Sequence, residues 1–460
     1  MQESIYQDFS LRGIWHLIWP QMVIMYSVVA TGICAVWTAG HISSDTQAAL
    51  GMVNQCNIFL MVVIMALSSG ATAAVSQSLG AGKRKRALHY IAVTVAGSLI
   101  LGLILTVLGR GHGASVLSVL QVPKEIIPLG EKMWDLMLYA LPAQHVYAAT
   151  GVIFRSTREV MQPLSIAIVI NIVNVLLCLG LGLGFFGLPN LGYAGLLYAT
   201  IVSQTLGALL HCFLLYRSGF LVVSIRHADP RWLTQGLPYL VKVAVPAGFA
   251  SLVWQTGYLF LFILVASLPT EGLTGLAGLT AGLRIESLLF LPAMAVNTSL
   301  AVLIGNCLGA GRENKARSLA VRIPLVTTIA LSGFALLVWP MRDLLAEQFS
   351  CDPATQTQIV SYLTYNLLST PFSIASTVMG GVMVGAGATA YNLAVYGGCS
   401  WLIRLPLGYI LGHTLGYNAQ GIFCAMLVSQ IVQAILMILV IRYAGWTEHT
   451  LRKKTAHSSR

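Results

Sequence analysis

The segment QSLGAGKRKRA, Gln77–Ala87, returns 229 residues later as NCLGAGRENKA, Asn306–Ala316, with the same glycine turn followed by basic residues. Sliding the chain by that distance lays Ala48–Ala87 on Ala277–Ala316. Leu50 then meets Leu279, Leu60 meets Leu289, Met65 meets Met294 and Ala66 meets Ala295. Pro20 meets Pro246 at an offset of 226, and GVIFRSTRE, Gly151–Glu159, faces GVMVGAGAT, Gly381–Thr389, at 230. The chain reads as two copies of one unit.

Composition says where those copies reside. Of 460 residues, 57% are hydrophobic and 9% charged, against about a quarter charged in an ordinary soluble protein. Apolar runs of about twenty residues recur along the whole length, as a polytopic helical membrane protein requires. Twelve spans are expected, near 15–39, 47–76, 88–108, 133–154, 162–186, 192–216, 241–268, 275–305, 320–340, 356–384, 391–411 and 420–442. The first is read as a retained span, because no cleavage site follows it. Seven of the eight cysteines lie inside apolar runs and none forms a CxxC pair, so no disulfide or metal framework is expected.

Charge placement orients the chain. With the N-terminus, the even-numbered loops and the C-terminus in the cytoplasm, that side holds 20 Lys and Arg and the other side 4. The positive-inside rule makes this the expected topology, in the plasma (inner) membrane. The net charge of +11 is spread over separate loops, so it marks topology and lipid attraction rather than nucleic-acid binding. Each copy holds six spans. Six is even, so the copies insert in the same direction as parallel repeats. The expected fold is all-α: lobes 1–223 and 241–460, a polar joint over 224–240 and a basic tail. Two such lobes suit alternating access.

The chain resembles the multidrug and toxic compound extrusion (MATE) family over essentially its whole length. The resemblance rests on LSSGATAAVSQSLGAGKRKRA (Leu67–Ala87), LRIESLLFLPAMAVNTSLAVLIGNCLGAGRENKA (Leu283–Ala316), VMVGAGAT (Val382–Thr389) and WLIRLPLGYILG (Trp401–Gly412). The RIES run is closest to the DinF-like branch. The resemblance implies export of amphipathic compounds in exchange for protons or sodium ions. The protein would act as a monomer, without a cofactor and without enzymatic activity. A lipid-linked precursor flippase and an organic-anion exporter are the alternatives within the wider superfamily. A membrane enzyme or receptor is the alternative outside it, but no convergent set of acids, bases or metal ligands is visible. GAGKRKR lacks the first glycine and the Ser/Thr of a phosphate loop. GLGFFG, Gly182–Gly187, lies at the end of an apolar run with no βαβ context.

A charge inside a bilayer costs about 2.5–3.5 kcal/mol on insertion scales, so each marks a functional candidate. Glu286 is the one carboxylate deep in a span, and Arg284 and Arg404 are the two deep cations. The repeat lays Glu286 on Asn57, Arg284 on Gln55 and Arg404 on Asn174, with Asn171 nearby. Both halves are polar at these places, but only the second is ionisable. Burial favours a protonated carboxyl and a nearby arginine an ionised one, so a carboxyl that moves between such environments can carry a cation. The alternative is a fixed ion pair. Arg404 suits that pair better than Arg284, which lies two residues away on another helix face. The acids that the family usually carries in its first and fifth spans are missing: TGICAVWTAGH (Thr31–His41) has Trp37, and NIVN has Asn171 and Asn174. Two buried arginines against one glutamate also suit an anionic or zwitterionic substrate. Tyr26, Trp37, Tyr139, Gln144, Trp254, Gln255, Tyr258 and Asn366 are candidates to line a cleft. Helix packing and an interfacial aromatic belt explain the same residues.

Overall fold

A computed structural model describes residues 10–119, 125–220 and 230–451. Residues 221–229, within and beside the expected joint, lie outside them, as do Lys124, Arg226, Arg452, Lys453, Lys454 and Arg460. The described residues form helices and turns and no strand. Among the described residues ten helices are long and apolar enough to cross a membrane. The remaining two of the twelve expected spans are present but interrupted. The fourth is split into Ile127–Leu138 and Leu141–Ser156. Pro142 stands in the first turn of the second piece, where it has no N–H to give and disfavours helix before it. The eleventh runs from Thr389 to Thr414 with π-helical turns at Leu393–Gly397, Cys399–Arg404 and Ile410–Thr414.

Contacts divide the chain into two compact units, Met1–Val241 and Lys242–Arg460. Each has its own apolar core. In the first, Leu50, Val53, Leu117, Met133, Leu138 and Leu141 pack together. In the second, Leu261, Val265, Leu279, Tyr362, Ile422 and Phe423 do so.

The two quoted turns are built alike. The second span, Ser44–Gly80, stops where Gly82 takes φ 67°. The eighth, Gly272–Gly309, stops where Gly311 takes φ 73°. That left-handed region suits glycine, which has no Cβ to clash. Lys83 N–H then reaches back to the Ser78 carbonyl at 2.9 Å, and Arg312 N–H to the Cys307 carbonyl at 2.9 Å. Gly82 N–H bonds the Leu79 carbonyl at 3.0 Å, and Gly311 N–H the Leu308 carbonyl at 3.1 Å. Each pair satisfies carbonyls that the helix end would leave open.

Small residues bring the eighth span against the tenth, Pro353–Ala386. A Cβ at Gly282 would fall 2.1 Å from the Tyr362 ring, and one at Gly381 would fall 2.2 Å from the Asn297 carbonyl oxygen. This contact sets the geometry of the site below.

Candidate functional site

Glu286 lies one helical turn after Gly282 on the eighth span. Because Gly282 has no side chain, Tyr362 of the tenth span lies flat against the eighth, and its hydroxyl donates to Glu286 Oε2. Asn366, one turn beyond Tyr362 on the same helix face, also hydrogen-bonds the Glu286 carboxyl. Phe423 of the twelfth span, Asn418–Tyr443, holds the Tyr362 ring edge-on at 5.2 Å between centroids. The carboxyl is therefore seated among donors on a packed wall, and the Glu286 side chain is itself partly exposed.

Arg404 is 1% exposed, deep in the eleventh span. It ends a π-helical turn, an irregularity that often accompanies functional sites. Its Nε donates to Ser429 Oγ of the twelfth span at 3.0 Å. The guanidinium carbon lies 5.4 Å from the Tyr258 ring centre and 5.7 Å from that of Trp254. Both aromatics belong to the seventh span, so they face the cation with their negative ring faces. The terminal nitrogens Nη1 and Nη2 are buried and make no well-aligned hydrogen bond, with Tyr258 as their polar neighbour. Arg404 lies close enough to act on Glu286 through its charge, yet the two share no hydrogen bond. The fixed ion pair weighed from sequence is not formed.

Arg284 stands apart from this group. It is exposed and lines a surface hollow of about 430 Å³ with Leu273, Thr280 and Phe349. Two residues along an α-helix turn the side chain by roughly 200°, which takes Arg284 off the Glu286 face.

The first unit repeats the frame without the charge. Asn174 Nδ2 donates to Ser203 Oγ at 2.9 Å, where Arg404 Nε donates to Ser429 Oγ. Each serine in turn donates to the carbonyl three residues before it, Ser203 to Thr200 at 3.1 Å and Ser429 to Met426 at 2.8 Å. Asn171 Nδ2 donates to Ser27 Oγ at 2.7 Å. Asn57, the counterpart of Glu286, has a buried Oδ1 with no partner, and Gln55 is exposed.

Of the residues proposed to line a cleft, Trp254, Tyr258 and Asn366 converge on Glu286 and Arg404. Gln255 is partly buried beside Trp254. The others lie in the first unit. Trp37 meets the His41 ring at 3.9 Å in a tilted contact, and Tyr139 faces the Arg110 guanidinium at 5.7 Å. Tyr26 is 39% exposed, and Gln144 keeps a buried, unpartnered Oε1.

Sequence reasoning missed Tyr362 and Ser429. Tyr362 could have been found from its spacing, since it precedes Asn366 by four residues and so shares its helix face. A polar cluster in the first unit was missed too. Arg155 Nη1 donates to Gln21 Oε1 at 3.3 Å, and His211 Nδ1 bonds Thr150 Oγ1 at 2.9 Å with its ring stacked on Tyr147 at 4.6 Å. Among the described residues no group of His, Cys, Asp and Glu could hold a metal ion.

The sequence model of the MatE family matches residues 20–179 and, separately, residues 246–410. A probable multidrug resistance protein NorM from Thermotoga maritima is 24% identical over 417 residues, which cover 90% of this chain and 88% of that one. The Vibrio cholerae MATE transporter VcmN in its bent form superposes with a TM-score of 0.84 at 20% identity, covering 98% of this chain and 99% of that one. A MOP superfamily transporter from Pyrococcus furiosus, whose binding pocket is described as of reverse polarity, superposes with a TM-score of 0.84 at 18% identity, over 95% and 96%.

Proposed function

The chain belongs to the MatE family of multi-pass membrane transporters, and on that premise we propose that it exports amphipathic organic compounds in exchange for protons, with Glu286 as the proton carrier. The relatives named multidrug resistance proteins support the export reading. The positive-inside bias supports cytoplasmic termini. The observation that carries the coupling role is the pair of seats available to one carboxyl. Tyr362 and Asn366 hold it now. Arg404, with two nitrogens that make no well-aligned hydrogen bond, is the second seat. An ionised carboxylate gains most from the full charge of the guanidinium, whereas a protonated carboxyl, which gains little from that charge, is left to its neutral partners Tyr362 and Asn366. Proton gain and loss would thus move Glu286 between helices, and the tenth and eleventh spans would follow.

A proton fits these neighbours better than a sodium ion. A hard cation is held by several oxygen acceptors, whereas Glu286 is met by a phenol O–H, an amide and a nearby cation. The test is dye export in inverted vesicles, with a proton gradient in one arm and a sodium gradient in the other. Added substrate should dissipate the proton gradient, and Glu286→Gln should abolish uphill export while leaving the protein folded. Full uphill export by Glu286→Gln overturns the coupling role. A response in the sodium arm alone overturns the choice of ion.

Arg404 favours a second reading of the substrate. Two buried N–H-bearing nitrogens with no well-aligned acceptor suit a carboxylate or phosphate on the cargo as well as they suit Glu286. Competition of anionic against cationic dyes in the same vesicles separates the two readings.

A further inference from the structure

A groove of about 590 Å³ opens in the second unit between the ninth, tenth and twelfth spans. Its wall is apolar along most of its length, with Val321 and Leu325 from the ninth span, Met379 from the tenth and Ile438 from the twelfth. At one end stand two cations, Arg317 in the first turns of the ninth span, Glu313–Val338, and Arg442 in the last turn of the twelfth. Among the described residues no acidic side chain lines the groove. Pro324 lies midway along its ninth-span wall.

The charged end is built rather than incidental. Trp446, fully buried just after the twelfth span, donates from Nε1 to the Ile441 carbonyl at 3.0 Å. Arg317 lies over that ring at 5.7 Å, and its Nη2 donates to Thr447 Oγ1 at 3.4 Å. One nitrogen is thereby fixed, and the rest of the Arg317 guanidinium stays exposed at the end of the groove. Thr328 lines the groove eleven residues further on, about 16 Å along the helix at 1.5 Å per residue. Its hydroxyl oxygen is buried and unpartnered. The groove thus joins a cationic end to an apolar slot.

We propose that this groove binds one anionic phospholipid from the inner leaflet, with its phosphate between Arg317 and Arg442 and an acyl chain along Val321, Leu325 and Ile438. Charge selects this occupant. Two guanidiniums repel a cationic amphiphile and attract a phosphate bidentately, and basic pockets between helices on the cytoplasmic side are sites where anionic headgroups settle. The export mechanism does not use these residues, so the proposal stands apart from it.

The test uses the full chain purified in nanodiscs of phosphatidylcholine with or without phosphatidylglycerol, then native mass spectrometry for retained lipid. The parent protein should retain one phosphatidylglycerol in preference to phosphatidylcholine. Arg317→Gln with Arg442→Gln should weaken that retention about 30-fold, from the effect of two basic residues at a membrane surface. Arg322→Gln, a neighbouring exposed cation outside the groove, should leave it unchanged. Val321→Trp, which fills the slot and keeps both arginines, should also release the lipid. Equal retention of the two lipids overturns the proposal. So does an equal loss in Arg322→Gln, which would mean diffuse attraction, or displacement of the lipid by a cationic dye, which would mean a cargo path.

Discussion

Tyr362 donates its hydroxyl hydrogen to Glu286 Oε2 across two helices that touch through Gly282. The single carboxylate found deep in the spans is therefore held by a group 76 residues away.

Tyr362→Phe removes that donor and keeps the ring that packs on Phe423. A hydrogen bond is worth about 0.5–1.5 kcal/mol to a neutral partner and about 1.5–3 kcal/mol to a charged one. Proton-coupled exchange should fall by about tenfold or more, with the melting temperature little changed. Exchange at the parental rate would show that the first seat is dispensable.

Gly282→Ala places a methyl group where the Tyr362 ring lies. Overpacking of this kind costs about 1–3 kcal/mol, so thermal stability in detergent should fall. Exchange should fall with it, because Tyr362 must leave Glu286 to make room. Gly333→Ala is the control: nothing lies within 4 Å of its added carbon, and it should change neither quantity.

Arg404→Met tests whether a buried cation is kept for use rather than for strength. A buried ionic group often destabilises relative to an apolar side chain of similar volume, by about 1–4 kcal/mol. Here two of the three guanidinium nitrogens lack well-aligned partners. The variant should melt at or above the parental temperature and fail to transport. A large loss of stability would assign Arg404 a structural role instead.

Glu159, in the turn after the fourth span, has a buried Oε2 with no partner, and burial pushes its carboxyl above the usual carboxylate range. The folded state therefore holds this proton more tightly than the unfolded chain does. Its contribution to stability is full below the ordinary carboxylate range and is lost as pH rises through the raised value. Glu159→Gln should flatten the part of the stability-versus-pH curve that lies just above the ordinary carboxylate range, as read in thermal melts.

Much of this molecule is legible in its sequence. Apolar runs mark the spans because a bilayer demands about twenty apolar residues wherever a helix crosses it. The doubled LGAG turn marks the duplication because only a glycine takes the left-handed step cheaply at both Gly82 and Gly311. The separation of Arg284 from Glu286 follows from helical rotation. The seat of Glu286 does not follow, since Tyr362 reaches it through packing between distant segments. The π-helical turns around Arg404 leave no residue pattern of their own. Pro142 lies among the expected span residues, but that it divides the fourth span is visible only in three dimensions.

The shared frame of Asn174–Ser203 and Arg404–Ser429 gives the chain an internal reference. Duplication fixed one scaffold twice, and divergence then placed ionisable groups on one copy only. Half of a double-mutant cycle is thus already present in the natural sequence: Asn57 and Asn174 report what the site is like when neutral. Exchanging residues between Asn174 and Arg404 would ask what charge adds to the shared serine frame, with background, membrane and expression held constant.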